Sequence, residues 1–236
     1  MNPHSLLNAL SRTDIQRMPF PHVTHHPALP LDFYEELQAT FPTADEWGLT
    51  PEVDFRLHAA QFLPSRQRLS SAWQAFWHYH LSREFLADLL LFWGDSVTLP
   101  LVPSLDECTL GIRNLYNGTI HFEGQYVAFT GAPPVVTEPH IAHWGSLLVI
   151  LLYFPTLDNS ETDGGDLQLF RFDKSPKVNR ARQPVGEVTI DTVIPYRANQ
   201  LVMFPNLSHS LHGVTRRNID ASPRRNIFIS LEVPRR

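Results

Sequence analysis

The sequence predicts a mainly β protein with N-terminal helices, in which a double-sheet jelly roll is buttressed by helices on one face. Hydrophobic residues recur with helical spacing in residues 1–105, and they alternate with polar residues in residues 106–236. Turn-forming pairs such as Asn117-Gly118 divide the second part into short segments. We interpret residues 1–236 as a single domain made of these two parts, since all-β domains often reach this length.

Three helices are predicted in the first part. The first covers residues 31–40 and follows Pro30, a residue suited to a first helical turn. The second, residues 67–80, carries aromatic residues at helical spacing, which are more often core than ligand-binding residues. The third covers residues 83–92, with Ser82 as its candidate N-cap. We expect the aromatic stripe to pack against the sheet.

Nine short antiparallel strands are predicted in the second part. They lie near residues 109–116, 119–129, 135–141, 147–154, 166–172, 187–194, 198–204, 211–215 and 225–233. Eight or nine such strands match a jelly roll, and we expect the functional site at its mouth.

Charge, apolar runs and cysteine content restrict the classes of function. The net charge is −5 and basic residues are scattered, so nothing indicates a nucleic-acid partner. The longest apolar run, Leu147–Pro155, is shorter than the roughly 20 residues of a membrane-spanning helix. The N-terminus lacks a signal-peptide pattern, which indicates a cytoplasmic protein. Cys108 is the only cysteine, which excludes an internal disulfide and a cysteine-based metal cluster.

Six motifs follow one another in the second part. They are His140-Ile141-Ala142, Leu151-Leu152-Tyr153-Phe154, Gly164-Gly165-Asp166-Leu167, Asn199-Gln200-Leu201-Val202-Met203-Phe204, Ser210-Leu211-His212-Gly213-Val214 and Arg224-Arg225. Each is weak alone, but the ordered set resembles the Fe(II)/2-oxoglutarate-dependent oxygenases, in particular their prolyl-hydroxylase-like bacterial members. The resemblance covers most of the chain, because residues 19–23 and the first helix are also similar to N-terminal segments of these enzymes. It implies a cupin-like double-stranded β-helix.

The resemblance implies Fe(II), with 2-oxoglutarate and O2 as co-substrates. Enzymes of this type hold Fe(II) with two imidazoles and one carboxylate, which leaves positions open for the co-substrates. His140 and His212 are the implied imidazole ligands, and the alternative is a pair of buried, hydrogen-bonded histidines. His143 is the second choice in place of His140, because it lies too close to the following strand to leave the usual loop.

A cationic side chain is expected for the distal carboxylate of 2-oxoglutarate. Guanidinium offers two donors in a planar fork, which lysine does not. Neighbouring residues of a strand point to opposite faces, so only one of Arg224 and Arg225 can point inward. Arg224 is our first choice and Arg225 the second, because the resemblance implies an Arg-x-small-apolar pattern that fits Arg224-Arg225-Asn226-Ile227 slightly better. Tyr153 is expected either to add its hydroxyl to the same carboxylate or to be a core tyrosine at the barrel mouth.

The family pattern has Asp where this chain has Ala142, or Gly145 if His143 is the ligand. Neither residue can bind a metal, and three interpretations follow. The vacant position could admit chloride or bromide, as in the aliphatic halogenases of the superfamily. Water or a neighbouring side chain (Glu138, Asp166 or His143) could complete the site of a hydroxylase. The metal site could instead be degraded or altered, and the protein inactive.

A different class of function also stays open, a non-catalytic cupin-like domain whose histidines line a ligand pocket. The late arginine argues against it, because a sugar-binding barrel has no need of that residue. For an enzyme, we expect a small-molecule substrate, amino-acid-like or a natural product, with a peptide side chain as the alternative. Loops 157–166 and 173–186 are expected to cover the mouth. Their charges are mixed and include Arg180 and Arg182, so they indicate no preference for an acidic or a basic substrate.

Overall fold

The computed structural model describes residues 2–49, 54–94, 108–110, 120–129, 138–143, 145–159, 163–218 and 222–232. Within these ranges the elements are, in chain order, β1 (Val23–His25), α1 (Leu31–Ala39), β2 (Asp54–His58), α2 (Ala59–Phe62), α3 (Ser71–His80), α4 (Arg83–Trp93), β3 (Cys108–Leu110), β4 (Ile120–Phe129), β5 (Ser146–Tyr153), β6 (Leu167–Phe172), β7 (Val188–Ile194), β8 (Leu201–Pro205), β9 (His212–Val214) and β10 (Arg224–Glu232). Short 3-10 helices cover Arg12–Asp14, Asp45–Trp47 and Leu63–Arg68.

Two sheets form the β part. The larger has the order β1-β8-β5-β10-β4-β2, with β3 paired to β4, and the smaller has the order β7-β6-β9. Apart from the parallel β3–β4 pair, the neighbouring strands are antiparallel. Side chains from both sheets form one apolar cluster, which includes Val149 of β5 and Leu169 of β6. This arrangement confirms the predicted jelly roll.

The helices cover the other face of the larger sheet. Strand β5 is buried on both faces, as expected for the continuous apolar run in its sequence. Leu148, Ile150 and Leu152 belong to the cluster shared with the helices, whereas Val149 and Tyr153 belong to the cluster between the sheets. The alternation along one strand therefore separates a helix-facing core from the barrel interior.

The aromatic stripe of α3 packs against the larger sheet, as predicted. Trp73 and Trp77 both meet Tyr126 of β4 edge-on, with ring centroids 4.7 and 5.3 Å apart. Gly124, two residues earlier on β4, has no room for a side chain, because an added Cβ would collide with the ring of Trp77. The stripe is therefore core, and no described helix is long and apolar enough to cross a membrane.

The predicted starts of α1 and α4 are correct, and their C-terminal ends differ from the prediction by one residue. The Ser82 hydroxyl accepts a hydrogen bond from the Phe85 backbone N–H (3.1 Å), which confirms the N-cap of α4. Helix α3 begins at Ser71 rather than at residue 67, because the preceding residues form the 3-10 helix Leu63–Arg68 and Ser70 caps α3.

Eight of the predicted strands overlap β3–β10, but β1 and β2 were not predicted. A three-residue strand such as β1 is too short to show a period, and β2 begins next to residues 50–53, which lie outside the described part. Strand β1 pairs with β8 and β2 with β4, so the N-terminal part contributes both outer strands of the larger sheet. Of the predicted strand 135–141, only residues 138–141 are described, where His140 forms an isolated bridge. Residues 111–119 also lie outside the described part.

Candidate metal and co-substrate site

His140 and His212 lie side by side at the mouth of the barrel. His212 is the first residue of β9, and His140 precedes β5. The two residues exchange backbone hydrogen bonds, each N–H donating to the carbonyl of the other at 2.9 Å. Their ring centroids are 4.5 Å apart. The fold thus brings together the two histidines that the sequence singled out.

Both imidazoles are fixed in the same tautomer. Nδ1 of His140 lies 3.0 Å from the Glu138 carbonyl, and Nδ1 of His212 lies 3.0 Å from the Ser210 carbonyl. Since a carbonyl can only accept, each Nδ1 carries the proton and each Nε2 keeps its lone pair. Neither Nε2 has a hydrogen-bond partner among the described residues. This is the state in which histidine binds a metal ion through Nε2.

The surroundings keep both rings uncharged. Burial lowers the pKa of His140, and the positive charge of Arg182 lowers it further. Burial lowers the pKa of His212 to about 3, with additional contributions from His140 and Arg182. Both rings are therefore neutral at neutral pH, and the pair fits a divalent metal ion without first losing a proton.

Ala142 stands where the family pattern has its carboxylate, and its methyl group packs against the cluster between the sheets. The Ala142 N–H donates to Oδ1 of Asn206 at 3.1 Å. Nδ2 of Asn206 donates to the carbonyls of His143 (3.0 Å) and Ser146 (2.9 Å). Asn206 thus holds the short segment between His140 and β5 in place, with residue 142 directed into the barrel.

Among the described residues, no three metal-binding side chains lie together, so no carboxylate joins the two histidines as a third ligand. The Glu138 carboxylate is exposed and accepts from Nε2 of Gln183 at 2.7 Å. Oδ1 of Asp166 accepts from the Tyr196 backbone N–H at 2.8 Å. His143 directs its Nδ1 to the N–H of Gly145 at 3.1 Å.

A second group of polar side chains lies deeper between the sheets. Arg224 is 4% exposed, and it donates through Nε to the Gly165 carbonyl (2.8 Å) and through Nη1 to Oδ1 of Asn226 (3.1 Å). Its Nη2 is buried without a partner among the described residues, and so is the hydroxyl of Tyr153. The guanidinium carbon lies 4.6 Å from the Tyr153 ring centroid. Burial raises the pKa of the Tyr153 hydroxyl, against the opposing effect of Arg224.

Unpaired buried donors are rare in proteins, and an unpaired buried charge is costlier than an unpaired neutral group. Arg224 and Tyr153 therefore form a cradle that suits an anionic acceptor such as a carboxylate. The cradle and the histidine pair line the same interior. Tyr153 and Phe204 belong to one apolar cluster, and the ring centroids of Phe204 and His212 are 4.9 Å apart.

Arg225 points the other way. Its Nε donates to the Phe154 carbonyl at 3.0 Å, and its guanidinium lies 5.0 Å from the Phe41 ring on the helix side of the sheet. Of the two candidate arginines, only Arg224 faces the barrel interior.

Sequence reasoning missed three residues of this region. Asn226 and Asn206 orient Arg224 and the Ala142 segment, and Arg182 acts on both imidazoles. Asn226 lies two residues after Arg224 in β10, so period-two alternation would have placed it on the same face. No pattern in the sequence indicates the other two.

No protein-family model matches the chain, and no curated protein matches it either. Several solved structures are similar to this chain in fold. A prolyl-4-hydroxylase from Pseudomonas putida is 16% identical, with a TM-score of 0.54 over 91% of this chain and 92% of that one. A Trichoplax adhaerens prolyl hydroxylase, solved with a peptide of hypoxia inducible factor, is 13% identical, with a TM-score of 0.50 over 90% and 83%.

The epimerase SnoN, solved with Fe3+, alpha ketoglutarate and nogalamycin RO, is 12% identical, with a TM-score of 0.50 over 90% of this chain and 78% of that one. At these identities the likeness is one of fold. The chain has the double-stranded β-helix fold of these enzymes.

Proposed function

We propose that this protein is an Fe(II)/2-oxoglutarate-dependent oxygenase that activates a C–H bond of a small amino-acid-like or natural-product substrate. The observation that carries the proposal is the pairing of two sites in one barrel interior. One offers two neutral imidazoles with unshared Nε2 lone pairs, and the other offers a buried guanidinium with an unused donor. A cupin-like sugar-binding domain, the alternative of another class, has no use for the second site.

His140 and His212 are the proposed metal ligands. Their Nδ1 protons are committed to the Glu138 and Ser210 carbonyls, which fixes the ring orientation and directs Nε2 away from the backbone. His143 is the weaker candidate, because its Nδ1 already accepts from the Gly145 N–H. When bound, Fe(II) together with 2-oxoglutarate supplies the activation of O2 that C–H chemistry requires.

Arg224 and Tyr153 are the proposed anchor for the distal carboxylate of 2-oxoglutarate. Nη2 of Arg224 and the Tyr153 hydroxyl are buried donors in need of an acceptor, and a carboxylate oxygen can accept from both. The Gly165 carbonyl and Asn226 prevent the guanidinium from turning away. The Arg225 guanidinium donates to the Phe154 carbonyl on the opposite face of the sheet, so it is not part of the anchor.

Within this class we propose that the protein places a halide beside the metal and transfers halogen rather than hydroxyl. The methyl group of Ala142 cannot bind a metal and is smaller than a carboxylate side chain, and Glu138 and Asp166 are hydrogen-bonded elsewhere. Without a protein carboxylate, the site also carries one negative charge fewer, which favours a small anion. A hydroxylase in which water completes the ligand set is the second candidate, and an inactive or altered metal site is the third.

Product mass distinguishes the three candidates. The Fe(II) protein is incubated with 2-oxoglutarate, O2 and a panel of amino acids and small natural products, with chloride, bromide or neither. We expect products that carry the halogen supplied, and Ala142→Asp should abolish them. Oxygenated products that form equally without halide would favour the hydroxylase. Turnover only in Ala142→Asp would indicate an altered metal site.

A further inference from the structure

The loop between β6 and β7 is attached to the proposed ligand segment on both sides of His140. The Ile141 N–H donates to the Arg182 carbonyl at 2.9 Å, and Nε2 of Gln183 donates to the Glu138 carboxylate at 2.7 Å. These two contacts place residues 182 and 183, which belong to loop 173–186, directly beside the histidine pair.

The backbone of Arg182 adopts an unusual conformation. Its φ is +68°, a left-handed value that a long side chain rarely adopts and that glycine or asparagine would adopt at lower cost. The turn around it is well defined, since the Arg182 N–H donates to the Asn179 carbonyl and the Asn179 N–H donates to the Gln183 carbonyl, both at 2.9 Å. Strained backbone conformations often occur at functional sites, and this one lies beside the proposed metal ligands.

Arg182 is partly buried, and its guanidinium has no hydrogen-bond acceptor or ion-pair partner among the described residues. By contrast, Arg217 donates to the Gly164 carbonyl, the Ser222 carbonyl and the Asn159 side chain. The charge of Arg182 reaches both imidazoles, since it lowers the pKa of His140 and of His212. The hydrogen bond from the Ile141 N–H to the Arg182 carbonyl places residue 182 next to His140, so its side chain starts beside the histidine pair.

Arg182 is a cation without an acidic partner among the described residues. The Glu138 carboxylate accepts from Gln183 and the Asp166 carboxylate accepts from the Tyr196 N–H, and neither is paired with Arg182. In the proposed site, the dianion of 2-oxoglutarate would offset a divalent cation, and Ala142 supplies no carboxylate. Arg182 is therefore available to an anionic group of a ligand.

We propose that Arg182 binds a carboxylate of the organic substrate and thereby holds the reacting carbon beside the metal. This inference rests on the proposed function and narrows its substrate class to carboxylic acids, for which guanidinium offers two parallel donors. A free halide and the second carboxylate of 2-oxoglutarate share the same anionic chemistry, so the experiment must separate these three sources.

The test uses matched pairs of ligands that differ in one negative charge. Protein loaded with Zn(II), which is redox-inert, and 2-oxoglutarate is titrated by calorimetry with N-acetylleucine against N-acetylleucinamide, and with phenylacetate against phenylacetamide. We expect each acid to bind more tightly than its amide. Arg182→Gln should lower the affinity for the acids about tenfold to a hundredfold while leaving the amides unchanged. Arg182→Lys should keep part of the preference.

Arg180→Gln is the matched control, because Arg180 lies two residues away in the same loop and is exposed. This variant should behave like the native protein, and the thermal unfolding of all variants should agree. Acids and amides of equal affinity, or no acid binding by the native protein, would overturn the inference. So would acid binding that Arg182→Gln leaves intact.

Two further arms identify the anion. Loss of 2-oxoglutarate affinity in Arg182→Gln, without loss of acid binding, would assign the residue to the co-substrate and overturn the inference. In crystals soaked with bromide, an anomalous peak at Arg182 that phenylacetate does not displace would assign it to a halide. If the protein binds neither Zn(II) nor 2-oxoglutarate, the proposed function fails, and the acid–amide comparison on metal-free protein still decides the role of Arg182.

Discussion

His80 in α3 and His212 in β9 are two buried histidines whose pKa values are both lowered but whose ring nitrogens have different hydrogen-bond partners. Burial lowers the pKa of each to about 3, so both rings are neutral at neutral pH. In His80, Nδ1 donates to the Phe76 carbonyl at 2.8 Å and Nε2 accepts from the Leu6 N–H at 3.2 Å. Both nitrogens of His80 are therefore used within the protein, whereas His212 keeps its Nε2 unused among the described residues.

The comparison shows that a depressed pKa alone does not indicate a functional histidine. Desolvation acts on any buried ring, in a helix-facing core as well as at a barrel mouth. What differs is the hydrogen-bond inventory: His80 has one donor and one acceptor, both satisfied, while His212 has its donor satisfied and its acceptor available. The first is a structural residue, and the second is suited to bind a ligand.

The largest effect is expected from the histidine pair. His212→Ala and His140→Ala should each lower Fe(II) affinity by more than the roughly 10- to 100-fold that loss of an outer partner costs. The visible charge-transfer band formed by anaerobic Fe(II) and 2-oxoglutarate should also disappear. His143→Ala is the control and should keep the band. The reverse pattern, with iron affinity lost in His143→Ala and kept in His140→Ala, would make His143 the ligand.

The next effect concerns the co-substrate anchor. Arg224→Ala should weaken 2-oxoglutarate binding by about 2–5 kcal/mol, because the distal carboxylate would be buried without its cation. Fe(II) binding should change little. Arg225→Ala, the matched control on the adjacent residue, should leave 2-oxoglutarate affinity nearly unchanged, since its guanidinium lies on the helix side. Equal and small effects of the two substitutions, measured by equilibrium titration, would rule out both arginines as the anchor.

A third effect is expected on stability rather than binding. His80 is fully buried and stacks on Phe76, with ring centroids 4.0 Å apart. His80→Ala should lower the free energy of unfolding by about 2–4 kcal/mol, because it leaves a cavity and removes the acceptor of the Leu6 N–H. Metal affinity should not change. If His80→Ala instead weakened Fe(II) binding at unchanged stability, the distinction between the two histidines would be wrong.

The positions of most strands along the chain and the proximity of His140 to His212 could be anticipated, because ordered motifs separated by turns resemble those of a known barrel. The choice between Arg224 and Arg225 could not. Period-two alternation states that the two face opposite ways, but which one faces inward depends on the pairing of β10 with β4 and β5.

Arg182 was out of reach for a different reason. Its loop has no period, and its contact with Ile141 joins segments that are distant in sequence. A partly buried arginine without a partner cannot be recognised from composition, because most arginines in loops are solvated. Asn206 is similar, since its role depends on three backbone groups around Ala142 that only the folded chain brings together.

The smallest effect is expected on the pH dependence of the free energy of unfolding. It tests the comparison of His80 with His212 directly. A histidine with a folded-state pKa of about 3 and an ordinary value of 6.5 in the unfolded chain is neutral in both states above pH 6.5. Below that pH the unfolded chain takes up a proton that the folded protein excludes. Each such histidine therefore lowers the free energy of unfolding by up to about 1.4 kcal/mol per pH unit as the pH falls from about 6.5 to 3.

His80→Phe and His212→Phe should each remove about one proton from this slope in the metal-free protein, because the two pKa values are depressed alike. The measurement is chemical denaturation of metal-free native protein and of both variants between pH 7 and 4. A divalent metal separates the two residues: it should stabilise native protein and His80→Phe, since it binds the folded state, and should have little effect on His212→Phe. An unchanged slope in His80→Phe would mean that the buried ring accepts a proton in the folded protein. A metal-induced stabilisation that survives in His212→Phe would mean that the free Nε2 is not used for binding.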